Sequence, residues 1–123
     1  MSRKLLVILA CAALALALVA TAFGGAQATT LKGTVGPGFT ITLKKGTKKV
    51  KSLSAGSYKF AISDKSNIHN FALEREKGGK FEKQLTSVGF QGKKTVTLKL
   101  KAGKYKYYCT PHESSMKGFF TVK

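Results

Sequence analysis

The sequence predicts an all-β sandwich from residue 29 onward, and three observations carry that reading. No helical spacing of apolar residues runs over an ordinary helix length in this part of the chain. Apolar and polar residues alternate with a period of two in several short runs, which places alternate side chains on opposite faces of a strand. Turns rich in Gly, Ser, Asn and Lys interrupt those runs every eight to twelve residues or so, the rhythm of a sandwich.

Taken in chain order, strands are expected at Leu31–Val35, Phe39–Leu43, Val50–Leu53, Ser57–Ser63, Asn70–Arg75, Thr95–Leu100, Lys104–Cys109 and Phe119–Val122. The fourth shows the period clearly: Tyr58, Phe60 and Ile62 share one face, with Lys59, Ala61 and Ser63 on the other. In the sixth, Val96, Leu98 and Leu100 oppose Thr95, Thr97 and Lys99. The same alternation in the seventh puts Tyr105, Tyr107 and Cys109 together, so a core-facing tyrosine pair brings the thiol inward with it. Ala55-Gly56, Gly78-Gly79, Gln91-Gly92-Lys93 and Ala102-Gly103 each supply a glycine where the chain reverses. Between residues 76 and 94, Phe81, Leu85, Val88 and Phe90 call for burial without fixing a register.

The first 28 residues read as a signal peptide. Arg3 and Lys4 precede an uncharged apolar run, Leu5 to Ala20, that leads to Ala26-Gln27-Ala28, the A-x-A form a signal peptidase accepts. A spanning helix needs roughly 20 apolar residues and commonly a charged stop; this run is shorter and Ala-rich. A retained anchor and a lipid-modified Cys11 are the alternatives, the latter opposed by the few apolar residues before it. Residues 29–123 then form one domain of 95 residues. It has 20 basic and 5 acidic side chains, a net charge of +15, after Arg3 and Lys4 leave with the leader. A domain this small buries only about 60–65% of its unfolded surface, and secreted domains of such size commonly add disulfides. Here one cysteine remains, Cys109, so its thiol must be buried, paired between chains, or bound to a metal.

The residues around that thiol decide between these. Cys109, His112 and Met116 stand at C-x2-H-x3-M between two strands, and the other histidine, His69, lies forty residues upstream, followed by Asn70. Two imidazoles, a thiolate and a weak thioether are the ligand set of trigonal His2Cys copper with a long axial Met. The soft thiolate stabilises Cu(I), imidazole suits both oxidation states, and a weak axial sulfur leaves little to reorganise on electron transfer. Pro111 fixes one backbone dihedral inside the loop. Zinc is the rival metal, but Met is a poor zinc ligand. Two histidines cannot build the additional copper centres of an oxidase or a nitrite-reducing enzyme. A Cys109–His112 nucleophilic pair is opposed by the inward thiol and by the lack of any other feature of a substrate site. The chain is therefore expected not to be an enzyme.

These residues resemble the small cupredoxins, such as plastocyanin, pseudoazurin and amicyanin. Gly103-Lys104-Tyr105-Lys106-Tyr107-Tyr108-Cys109-Thr110-Pro111-His112 is similar to the penultimate strand and ligand loop of that family. Met116-Lys117-Gly118-Phe119-Phe120-Thr121-Val122 resembles its last strand, and Ser66-Asn67-Ile68-His69-Asn70-Phe71 the segment bearing its first histidine ligand. The resemblance implies a cupredoxin-like Greek-key β-sandwich of about seven to eight strands holding one type 1 (blue) copper ion. It implies His69, Cys109 and His112 as equatorial ligands, Met116 as axial ligand, and Asn70 as the residue tying the two ligand segments together, its amide directed at the thiolate. It also implies that the His112 imidazole lies near the surface, where electrons pass. The His112–Met116 spacing of three falls between those of amicyanin and plastocyanin.

The expected function is thus an exported one-electron carrier, in the periplasm or at the extracellular or cell surface, cycling between Cu(I) and Cu(II). Copper storage, delivery or sensing on the same fold is the alternative, and a metal-free interaction module a further one. Five lysines within Lys44–Lys51 form a solvated face that also discourages edge pairing, or else serve docking to a redox partner with an acidic surface or to an anionic cell-surface layer. Export and the absence of interleaved aromatics speak against nucleic acid. A monomer is expected.

Overall fold

The alternating apolar residues meet between two five-stranded sheets. The computed structural model describes residues 27–123; the expected leader, residues 1–28, lies outside the described residues save for its last two. The strands are β1 (Thr29–Val35), β2 (Ile41–Lys45), β3 (Lys48–Lys49), β4 (Ser52–Leu53), β5 (Gly56–Asp64), β6 (Ala72–Lys77), β7 (Glu82–Gln84), β8 (Gly92–Leu100), β9 (Gly103–Tyr108) and β10 (Lys117–Val122). One sheet has the order β3-β2-β1-β5-β8 and the other β4-β10-β9-β6-β7. β1 runs parallel to β5 and β10 parallel to β4, while the remaining pairs are antiparallel. Among the described residues no helix is long and apolar enough to cross a membrane.

The core lies where period two placed it. Tyr58, Phe60 and Ile62 from β5, Leu98 and Leu100 from β8, and Tyr105, Tyr107 and Cys109 at β9 are all buried. Phe71 stacks on Tyr107 with centroids 5.8 Å apart, and Tyr105 on Phe120 at 5.3 Å. Gly118 of β10 is the register partner of Tyr107, and a Cβ there would overlap the Tyr107 phenol. The glycine is what lets the ring lie flat in the interior.

Three expectations need correcting. Ten strands form rather than seven or eight, because the two-residue β3 and the short β7 add a rung to one edge of each sheet. β7 carries only exposed Glu82, Lys83 and Gln84, so it leaves no alternation to read. Val88 is 50% exposed, since it sits in a tight turn closed by Phe90 N–H donating to Ser87 O at 3.1 Å; of its group only Leu85 is fully buried, with Phe81 and Phe90 half-buried. Phe39 does not begin a strand. The Gly36-Pro37-Gly38 turn before it holds it in a loop, 57% exposed, and β2 starts at Ile41.

Candidate metal centre

Cys109 follows β9 in extended conformation, and the chain then turns through a short 3-10 helix, Thr110–His112, with Pro111 in its first positions. The turn is closed by His112 N–H donating to Cys109 O at 3.1 Å, and by Met116 N–H donating to His112 O at 2.8 Å. Cys109 N–H donates to Met116 O at 3.0 Å, so the loop returns to its start before β10 leaves. The C-x2-H-x3-M spacing is therefore that of a small loop, cross-linked by its own backbone, with Met116 fully buried.

His69 reaches the same place from the segment before β6. It is 1% exposed, and its Nε2 lies 2.9 Å from Gly38 O. A carbonyl can only accept, so Nε2 carries the proton and Nδ1 of the neutral ring offers a lone pair. That Nδ1 stands 3.0 Å from His112 Nδ1 and 3.7 Å from Cys109 Sγ, while His112 Nδ1 is 3.6 Å from the sulfur. The point equidistant from three atoms so spaced is about 2.0 Å from each, the length of a bond from imidazole nitrogen to a first-row metal. Two lone pairs 3.0 Å apart repel unless a proton or a cation lies between them. The donor set and its spacing fit a metal ion, and these three side chains could hold one.

Asn70 Oδ1 accepts from Thr110 N–H at 2.7 Å and from Thr110 Oγ1 at 3.2 Å, joining the His69 segment to the loop. Its Nδ2 is buried without a hydrogen-bond partner. Phe71 N–H donates to Thr86 Oγ1 at 2.8 Å, fixing the backbone just beyond. Asp64 ends β5 beside this segment and accepts from Ser66 N–H at 3.1 Å. Burial pushes its carboxyl above the ordinary aspartate range, against the opposing pull of that hydrogen bond.

Two parts of the site were not found in the sequence. Phe39 packs edge-on against both imidazoles, with centroids 5.4 Å from His69 and 4.9 Å from His112; the Gly-Pro-Gly turn before it was the available signal. The other is Lys106, which points away from the core yet is only 8% exposed. Its Nζ lies 2.6 Å from Glu113, next to His112, and 2.9 Å from both Glu74 and Glu76 on β6. Burial alone would lower its pKa, but hydrogen bonds to Glu113, Glu76 and Glu74 outweigh that and hold the ammonium above the ordinary lysine range. The loop is thus clamped to the sheet from outside. Beside it Tyr108 donates to Glu82 at 2.7 Å, and burial, then Glu82, raises its phenol.

The family described as copper binding proteins, plastocyanin/azurin family, matches residues 40–123. No curated protein matches the chain. Among solved structures, auracyanin A, a "blue" copper protein from Chloroflexus aurantiacus, is 20% identical with a TM-score of 0.55, covering 79% of this chain and 100% of its own. A rusticyanin variant is 21% identical with a TM-score of 0.51 over 79% and 80%. An amicyanin variant in its Cu(I) form is 14% identical with a TM-score of 0.52 over 77% and 83%. At such identities these structures carry the fold.

Proposed function

As the chain belongs to the plastocyanin/azurin family of copper-binding proteins, we propose that it is an exported one-electron carrier whose copper is held by His69, Cys109 and His112, with Met116 as axial ligand. The single observation that carries the reading is the convergence of one thiol and two imidazole nitrogens within 3.7 Å of one another, drawn from segments forty residues apart.

When bound, copper supplies a one-electron Cu(I)/Cu(II) couple. The chain's own residues do the rest. Asn70 and the loop's backbone bonds fix the ligand positions before the metal arrives, which keeps reorganisation small. Burial of Cys109, His69 and Met116 keeps water from the soft ligands, while half-buried His112 is the route to the surface. Phe39 packs edge-on against both rings. The reading includes a cleaved leader at residues 1–28, a monomeric domain, no catalysis of its own, and weak encounters steered by the net charge toward acidic redox partners or an anionic cell surface.

Protein-film voltammetry of the copper-loaded chain, together with electron self-exchange, tests the role. A reversible one-electron couple with fast self-exchange is expected. Copper that passes to an apo-acceptor while showing no reversible couple would assign the chain to delivery instead.

A further inference from the structure

The lysines of this protein lie on both sheets, but one sheet's outer face has no acidic residue. Outward residues of the β3-β2-β1-β5-β8 sheet include Lys49, Lys44, Lys32, Lys59, Lys93 and Lys99. The five acidic residues lie elsewhere: Asp64 is buried, Glu74, Glu76 and Glu82 belong to the opposite sheet, and Glu113 to the loop. Strand register aligns three of the lysines directly, Lys32 with Lys44 and Lys44 with Lys49, across neighbouring strands. Like charges directly opposite one another destabilise a sheet, and no carboxylate on this face relieves them. The positions between are Thr30, Thr34, Thr42, Ser57, Ser63, Thr95, Thr97 and Ala61, small and mostly hydroxylated. A shallow depression of about 350 Å³ opens above Ala61, with Lys32 and Lys93 at its sides and Thr34, Ser63 and Thr95 around it.

We infer that this face is a docking surface for the headgroup plane of an anionic lipid bilayer. This deepens the proposed cell-surface association and rests on the proposed export, though not on the copper. Three features select the partner. The lysines spread over five strands, roughly 20 Å at ordinary strand spacing, so a plane can meet all of them while a single linear polymer follows one row. The cations are lysines and not arginines, suited to a diffuse array of anions more than to bidentate recognition of one carboxylate. The exposed large apolar side chains among the described residues, Phe39, Ile68, Val88 and Phe119, all lie off this sheet, so the face lacks the aromatic anchor of a protein–protein hot spot. Attraction without insertion is the result. Lys32, Lys93, Thr34, Ser63 and Thr95 around the depression are the donors a lipid phosphate would meet there. With the face on a membrane, the end of the sandwich bearing His112 points along the surface and stays open to partners.

The test is sedimentation of copper-loaded residues 29–123, which contain both sheets and the whole core, with vesicles of phosphatidylcholine alone or with about 25 mol% phosphatidylglycerol. Binding is expected only to the anionic vesicles and is lost at about 500 mM salt. Replacing Lys32→Gln, Lys44→Gln, Lys59→Gln and Lys93→Gln together is expected to weaken partition several hundredfold, about fivefold per lysine. The same variant is expected to unfold at an equal or higher temperature, because cross-strand repulsion is removed. The matched control, Lys77→Gln, Lys80→Gln, Lys83→Gln and Lys117→Gln, removes the same charge from the opposite side and is expected to lose less than about tenfold. Equal losses in the two variants, no preference for anionic vesicles, or retention by an acidic polypeptide but not by vesicles would each overturn the inference. The visible spectrum recorded on the same samples reports the copper site separately, so loss of that site would count against the carrier reading alone.

Discussion

Replacing Lys106 by Met removes the cation that joins β9, β6 and the ligand loop. The ammonium makes ion pairs of 2.6, 2.9 and 2.9 Å to Glu113, Glu74 and Glu76, and its side chain is only 10% exposed, against 47%, 35% and 32% for the three carboxylates. A hydrogen bond to a charged group contributes about 1.5–3 kcal/mol when buried, but partners this exposed are screened toward about 1 kcal/mol each. Met fills much of the same volume, so Lys106→Met is expected to cost about 2–3 kcal/mol at pH 7, lowering the thermal midpoint of a domain of this size by roughly 10–20 °C. Most of that loss comes from three carboxylates left facing one another, and adding Glu74→Gln, Glu76→Gln and Glu113→Gln is expected to recover a large part of it. The pH dependence has a definite sign. Because the folded-state lysine titrates above its ordinary value, its contribution is full below the unfolded pKa and is lost as pH rises through the folded one. The gap between parent and variant is therefore constant from pH 6 to about 9. Thermal and urea unfolding of both apo-proteins measures it. A variant within about 0.5 kcal/mol of the parent would show that the clamp contributes nothing.

Gly118→Ala drives a methyl group into the Tyr107 phenol, and overpacking of this kind costs about 1–3 kcal/mol in unfolding experiments. Asn70→Ala strands the Thr110 N–H now held at 2.7 Å; a loss of about 1–3 kcal/mol in the apo-protein, with weaker copper retention in a chelator competition, is the expected outcome. Met116→Leu conserves volume at a buried site and is expected to cost less than about 1.5 kcal/mol. It should leave the blue colour in place while raising the reduction potential, since it removes a weak donor that favours Cu(II); an unchanged potential would argue against an axial role.

The core was legible in the sequence because it depends on alternation. Tyr105, Tyr107 and Cys109 share a face, so the aromatic signal located the thiol as well. His69, Cys109 and His112 could be grouped because so few chemically distinctive residues exist in the chain. Lys106 escaped notice because its position marks an outward residue, and only the fold places Glu74, Glu76 and Glu113 around it. Phe39 escaped for the converse reason: its apolar side chain suggests a strand, whereas its partners are two histidines. The lysine face was visible as a run, Lys44 to Lys51, but the cross-strand alignment of Lys32, Lys44 and Lys49 is a matter of register. Register between strands distant in the chain is set by packing, not by local pattern.

The measurement that bears most directly on the central claim is a titration of the apo-protein with Cu(II), followed in the visible spectrum, beside Cys109→Ala. An intense blue thiolate-to-copper band is expected to saturate at one equivalent in the parent and to be absent from the variant, while both share the same far-ultraviolet β-sheet signature. A parent that binds no copper tightly, or a band that persists without the Cys109 thiol, would contradict that claim.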